Sequence, residues 1–165
     1  MKYVLDSSAL LSGKPMPPVC DCIVSPAVVA EVRNGRAGRA LDFMLEAGLQ
    51  VQPPGAESVK AVQAAASKTG DSLRVSPADV EALALALETG ATLLTDDYSM
   101  QNLATVMGIG FQAVSQRGIA QVWRWVRRCR GCKKEWPEGV TECPDCGSEV
   151  ITKRARKGTG GSSIE

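Results

Sequence analysis

The sequence predicts an α/β domain with a central parallel sheet, followed by a small C-terminal metal ribbon. Three observations carry this expectation. Short apolar runs such as KYVLD and ATLLT alternate with longer stretches of helical period, an order that favours parallel strands covered by helices on both faces. Two of those runs end on aspartates, Asp6 and the pair Asp96 and Asp97, and open α/β sheets bind ligands beyond the carboxyl ends of their strands. Four of the six cysteines fall in one C-terminal segment as two C-x-x-C pairs.

Taken in order, KYVLD reads as a buried strand ending at Asp6 and DCIVSP as a second extended piece. SPAVVAEVRNG carries a helix start, with Ser25 as cap and Pro26 at the first helical position, and Gly35 as its stop. Glu31 lies inside that helix. ARALDFMLEAG keeps the helical period, LQVQPP is extended, and ESVKAVQAAASKTG is helical again. SPADVEALALALETG repeats the Ser-Pro start and closes on Gly90. ATLLT is a strand, YSMQNLATVMG a helix and FQAV a last strand. The character then changes, and four segments are expected: a first domain over 1–116, a linker over 117–127, a ribbon over 128–152 and a disordered basic tail over 153–165.

A length of 165 residues suits one ordinary domain with an appendix. The opening MKYVLDSSALL reaches Asp6 too soon for a membrane span or signal peptide, so a cytoplasmic location is expected. The net charge of +1 conceals a division at Gln116: 8 Lys and Arg face 12 Asp and Glu before it, 11 face 6 after it. An acidic body suits cations, and a basic appendix suits a polyanion. There is no histidine. Histidine-dependent hydrolases and His-containing zinc sites are thereby excluded, and chemistry must rest on carboxylates, thiolates, hydroxyls or lysine.

Cys129, Cys132, Cys143 and Cys146 form two chelating pairs separated by ten residues, the pattern of a tetrahedral structural zinc site. Disulfides or a redox pair are the alternative. Pro144, Gly147 and Gly131 suit the tight turns that aim N–H groups at thiolate sulfur. Cys20 and Cys22 have no second pair nearby and read as ordinary thiols.

Asp6, Glu31, Asp79 and Asp97 are candidates for one acidic site. Each also has a structural explanation: Asp79 follows the Ser76 cap by three residues, Asp97 can cap the next helix, and Glu31 can sit on a solvated face. Together they suggest a cluster that needs hard cations, magnesium or manganese, to neutralise it. Metal-assisted phosphodiester cleavage is the matching chemistry.

VLDSSALL, the SPAVVAEV helix, SPADVEALALAL and LLTDDYSMQNLA, in that order, resemble a PIN-domain nuclease. With the ribbon added, and the wording DDYSMQN, the chain resembles the Nob family of endonucleases, of the archaeal type. The resemblance covers the chain to about Val150. It implies a PIN-like α/β/α fold and manganese- or magnesium-dependent cleavage of single-stranded precursor rRNA. The cut would fall at the 3′ end of small-subunit rRNA on the pre-ribosomal small subunit, leaving a 3′ hydroxyl. The acidic site implied falls on Asp6, Glu31, Asp79 and Asp97, because the family's Thr-x-Asp pattern selects Asp97 over Asp96. Asp96 would add negative potential, and Ser8 would orient a carboxylate.

Trp123, Arg124, Trp125, Arg127, Arg128, Arg130, Lys133 and Lys134 interleave aromatic and cationic side chains, as single-strand RNA binders do. The alternative is that the tryptophans join the ribbon to the first domain. Two other functions fit the same residues, a toxin-type PIN ribonuclease acting on tRNA or mRNA and a non-catalytic RNA-binding adaptor.

Overall fold

The computed structural model describes residues 1–115 and 123–156, with Trp123 and Arg156 described by backbone alone. Five short strands, β1 (Tyr3–Leu5), β2 (Cys22–Val24), β3 (Gln50–Val51), β4 (Thr92–Leu94) and β5 (Phe111–Gln112), form one sheet in the order β3-β2-β1-β4-β5. All four pairings are parallel. Val4, Leu5, Ile23, Val24, Leu93 and Leu94 are buried, as expected of strands covered on both faces. The chain steps outward from β1 to β3 and then returns to the other side of β1, so the strand order reverses between β1 and β4. Tyr3 pairs with Thr92 and Leu5 with Leu94. Asp6 and Thr95 therefore leave the sheet side by side, with the Asp6 N–H donating to the Leu94 carbonyl at 3.2 Å.

The helices are α1 (Ser7–Leu11), α2 (Pro26–Arg33), α3 (Gly38–Glu46), α4 (Ala56–Thr69), α5 (Pro77–Thr89) and α6 (Tyr98–Met107). Ser25 caps α2 by accepting from the Val28 N–H at 3.3 Å, with Pro26 behind it. α5 buries Ala82, Leu83, Ala84, Leu85 and Ala86 in succession. Alternating alanine and leucine let it lie close to α2, α4, β1 and β4 at once. The one-and-a-half-turn α1 was not expected from SSALL, which is too short to show a period. Its start is set locally, by Asp6 capping Ser7.

A second, antiparallel sheet holds β6 (Trp123–Cys129), β7 (Glu135–Trp136) and β8 (Val150–Arg156) in the order β7-β6-β8. β6 and β8 pair over seven residues, from Trp123 opposite Arg156 to Cys129 opposite Val150. Residues 123–127, expected as linker, and 153–156, expected as tail, are thus strand. The ladder extends beyond the cysteines because each segment completes the other's backbone hydrogen bonds, which neither sequence shows alone. The rest of the expected linker and tail, 117–122 and 157–165, lies outside the described residues.

The apolar core of this small sheet is only Cys129, Cys143 and Val150 with Trp136 and Val140 against them. Such a core is too small to fold without a metal. Stripping metal with a chelator under reducing conditions should collapse the amide dispersion of the ribbon while the 1–115 resonances persist. Collapse of both sets in the same NMR titration would contradict two separately stabilised units.

Candidate functional site

Where the strand order reverses, the Asp6 carboxylate is 1% exposed and held by four donors. Oδ1 accepts the Ser7 N–H at 2.6 Å and its hydroxyl at 3.4 Å; Oδ2 accepts the Ser8 hydroxyl at 2.7 Å and the Thr95 hydroxyl at 2.8 Å. Hydrogen bonds to a charged acceptor are the strong ones, and they fix its orientation. Thr95 also accepts the Asp97 N–H at 3.1 Å, so one hydroxyl ties β1 to the start of α6. Thr95 was missing from the expected site. The signal was the threonine of Thr-x-Asp, placed at a strand end.

Asp97 caps α6, its Oδ1 accepting from Ser99 N–H at 2.6 Å and Met100 N–H at 3.3 Å. Its Oδ2 has no protein donor among the described residues. Asp79 forms a capping box with Ser76: its Oδ2 accepts the Ser76 N–H at 2.6 Å, and its own N–H donates to the Ser76 hydroxyl at 3.2 Å. Its Oδ1 is likewise without a protein donor. Burial pushes the Asp79 pKa up to about 6, with the Ser76 bonds pulling down and the charges of Asp6 and Asp97 adding to the rise. Asp6, Asp79 and Asp97 therefore share one electrostatic site. Glu31 is exposed and reaches it only through Ser7, whose hydroxyl lies 3.5 Å from Oε1. The structural and the functional explanations of Asp79 and Asp97 are thus compatible: one oxygen caps a helix and the other is free.

Asp96 goes elsewhere. Its N–H donates to Ser8 Oγ at 3.0 Å, while its carboxylate, 9% exposed, accepts from Val114 N–H at 2.8 Å, Ser115 N–H at 3.0 Å and the Ser115 hydroxyl. It fastens the segment after β5. Consecutive residues in extended chain point to opposite sides, so the pair divides, Asp96 into the scaffold and Asp97 towards Asp79.

The donor set of this crevice, carboxylate oxygens with two left unbonded, suits a hard divalent cation. Among the described residues, however, only the four cysteines bring three or more ligand atoms within 4.8 Å of one another; the carboxylates stand further apart. Cys129 and Cys146 sulfurs are 3.3 Å apart and those of Cys132 and Cys143 3.6 Å. Both are far beyond a disulfide bond and close to the ~3.7 Å edge of a tetrahedron with metal–sulfur bonds of about 2.3 Å. The arrangement fits a zinc ribbon. Lys133 and Gly147, each following the second cysteine of a pair, share a left-handed backbone at φ 67° and 70°. Cys22 is a buried strand thiol donating towards the Pro18 carbonyl, and Cys20 is exposed.

Most of the ribbon's cations have partners. Arg124 pairs with Glu135 at 3.1 Å, Arg130 with Glu149 at 3.0 Å, and Lys134 with Asp145. Exposed pairs of this kind are weak enough to exchange for a phosphate. Arg128 donates to the Lys133 carbonyl and Lys133 to that of Arg130. Arg127 is committed to structure, donating to the Val140 and Val150 carbonyls at 2.6 and 3.1 Å. Trp125 is stacked with Arg74, whose guanidinium lies 3.3 Å from the ring centroid, and with Arg154 at 5.0 Å. The Trp123 side chain lies outside the described residues. Between the ribbon and α4 opens a cleft of about 710 Å³ whose lining includes Lys68, Arg74, Arg124, Arg127 and Trp136.

Residues 3–89 match the model of the PIN domain of ribonuclease. The chain is 37% identical over 163 residues to Endoribonuclease Nob1 of Methanothermobacter thermautotrophicus, covering 94% of this chain and 95% of that protein. It belongs to the Nob1 endoribonuclease family. Nob1 of Pyrococcus abyssi is 40% identical, with 94% and 97% covered. Ribonuclease VapC1 of Thermoplasma acidophilum is 38% identical, with 91% of this chain and 77% of that one covered. No helix among the described residues is long and apolar enough to cross a membrane.

Because burial lifts Asp79, its protonated form predominates below about pH 6 in the metal-free fold. The stability this group contributes is full below its unfolded value near ~4 and is lost as pH rises through about 6. A cation must displace that proton. Calorimetric titration with manganese should therefore show affinity falling by up to about tenfold per pH unit below 6, with proton release measurable in paired buffers. Affinity that is flat from pH 7.5 to 5 would place the cation away from Asp79.

Proposed function

We propose that this protein is a cytoplasmic endoribonuclease that cuts single-stranded precursor rRNA at the 3′ end of small-subunit rRNA, on the pre-ribosomal small subunit. The observation that carries the reading is the convergence of Asp6, Asp79 and Asp97 at the strand-order reversal, in a chain matched by Nob1 relatives across both domains. Asp6, Asp79 and Asp97 would hold manganese or magnesium, with Glu31 at the open rim. When bound, that cation supplies positive charge for the phosphodiester and acidifies an attacking water.

The chain's own residues do the rest. Ser7, Ser8 and Thr95 hold Asp6 in one orientation, so that its charge needs no reorganisation when substrate arrives. The α6 N–H groups hold Asp97 Oδ1 and leave Oδ2 without a protein donor among the described residues. The capping box with Ser76 holds Asp79 Oδ2 and leaves its Oδ1 for the cation. The ribbon, with zinc on Cys129, Cys132, Cys143 and Cys146, would present Arg124, Arg128, Arg130, Lys133 and Lys134 to the RNA backbone, so binding should weaken as salt rises. The product would carry a 3′ hydroxyl.

The VapC1 relative favours a second reading, a toxin-type ribonuclease. Incubating the pure protein and manganese with an RNA spanning the small-subunit 3′ end, and separately with tRNA, distinguishes them. A single cut at the mature rRNA end supports the first reading. Cuts confined to tRNA support the second, and no cut in either supports a non-catalytic adaptor.

Asp97→Asn should lower cleavage at saturating RNA and manganese by about a hundredfold or more while RNA binding is kept. Asp96→Asn should cost far less in rate. Its loss should show instead as a lower melting temperature, since its carboxylate bonds are worth about 2 kcal/mol. A larger rate loss for Asp96→Asn would reverse the assignment within the pair.

A further inference from the structure

α6 carries two buried polar residues in its second turn, Gln101 at 0% and Asn102 at 3% exposure. Met100, Leu103 and Ala104 beside them are buried and apolar, so an apolar side chain would fill position 101 without the cost of desolvating an amide. The amide has a specific partner. Gln101 Nε2 donates to the Thr95 carbonyl at 3.0 Å, reaching back past the helix start as helical side chains do.

That carbonyl lies just beyond the sheet. The Asp6 N–H bonds the Leu94 carbonyl, and β1 then turns into α1. No backbone N–H donates to the Thr95 carbonyl among the described residues, so Gln101 satisfies an acceptor that neither sheet nor helix reaches. The other end of the same peptide unit is held as well. The Asp96 N–H shares a plane with the Thr95 carbonyl and points the opposite way, and it donates to Ser8 Oγ at 3.0 Å. One peptide is thus pinned from two sides, by α1 through Ser8 and by α6 through Gln101. Its orientation decides where the next two side chains go. Asp96 meets the Val114 and Ser115 N–H groups, while the Asp97 N–H meets the Thr95 hydroxyl at 3.1 Å and its carboxylate joins Asp6 in raising Asp79.

We propose that Gln101 is a positioning residue for the carboxylate site: by holding the Thr95–Asp96 peptide, it selects Asp97 over Asp96 as the acid presented to the cation. This role rests on the metal-dependent ribonuclease reading. Asn102 is a separate matter, since it donates to Asp71 Oδ2 at 3.1 Å, away from the pinned peptide.

Gln101→Met keeps an unbranched side chain of similar length and removes the donor. Leu103→Ala, at a fully buried position of the same helix, damages packing and leaves both partners of the peptide in place. Full-length, zinc-loaded variants are compared well below their melting temperatures, by calorimetric titration with manganese and by cleavage of the RNA spanning the small-subunit 3′ end. Gln101→Met should weaken manganese binding at least about fivefold and lower kcat about tenfold or more, with KM for RNA within about twofold. Leu103→Ala should lower the melting temperature at least as far, yet keep manganese affinity and kcat within about twofold of the parent. In an Asp97→Asn background, Gln101→Met should cost no more than about a further twofold, because the carboxylate it positions is already gone. Gln101→Leu removes the donor in a second way and should show the same losses if Gln101→Met folds poorly. Parental rate and manganese affinity in the Gln101 variants would overturn the proposal. So would losses matched by Leu103→Ala, or a loss kept in full when Asp97 is already Asn. A parent that cuts no RNA would sink the ribonuclease reading instead; the manganese titration then decides the positioning role alone, upheld by the fivefold weakening and overturned by unchanged affinity.

Discussion

The buried Asp6 carboxylate is the constraint around which the nuclease domain is built. A charge at 1% exposure is tolerated only with partners, and here they come from α1 through Ser7 and Ser8, and from beyond β4 through Thr95. The parallel pairing of β1 with β4 makes this possible, because it brings the two strand ends level at the reversal of strand order. Meeting the needs of one charge thereby sets the positions of the next two. Thr95 holds the Asp97 backbone, and α5, buried on nearly every side, carries Asp79 to the same crevice.

The adjacent carboxylates of Asp96 and Asp97 would repel if they shared a direction. Extended backbone separates them, and each finds N–H donors on its own side: Val114 and Ser115 for Asp96, Ser99 and Met100 for Asp97. The first arrangement satisfies the carboxylate with three donor groups from two residues, whereas the second leaves an oxygen open. An open oxygen beside two other acids is what a cation-binding site requires. A fully bonded carboxylate in the same sequence motif serves as a clamp.

Much of this was legible in the sequence because it is local. The Ser-Pro starts at Ser25 and Ser76, the left-handed glycine at Gly90 and the paired C-x-x-C pattern each depend on residues a few positions apart. What escaped notice depends on contacts between distant segments. α1 is too short to show a period and is set by Asp6. The β6 and β8 ladder reaches into stretches that look like linker and tail, since pairing is invisible to either strand alone. Trp125 reads equally well as a base-stacking ring or as a joint between domains. Only the Arg74 guanidinium against its ring, 3.3 Å from the centroid, reveals the joint.

The central claim, that Asp6, Asp79 and Asp97 hold one catalytic cation while Asp96 belongs to the scaffold, is most directly tested by anomalous diffraction. Crystals soaked in manganese near pH 7.5 should give an anomalous peak within bonding distance of Asp79 Oδ1 and Asp97 Oδ2, on the Asp6 side of the crevice, with Asp96 still bonded to Val114 and Ser115. A peak coordinated by Asp96, or none at the three carboxylates under saturating manganese, would contradict the account.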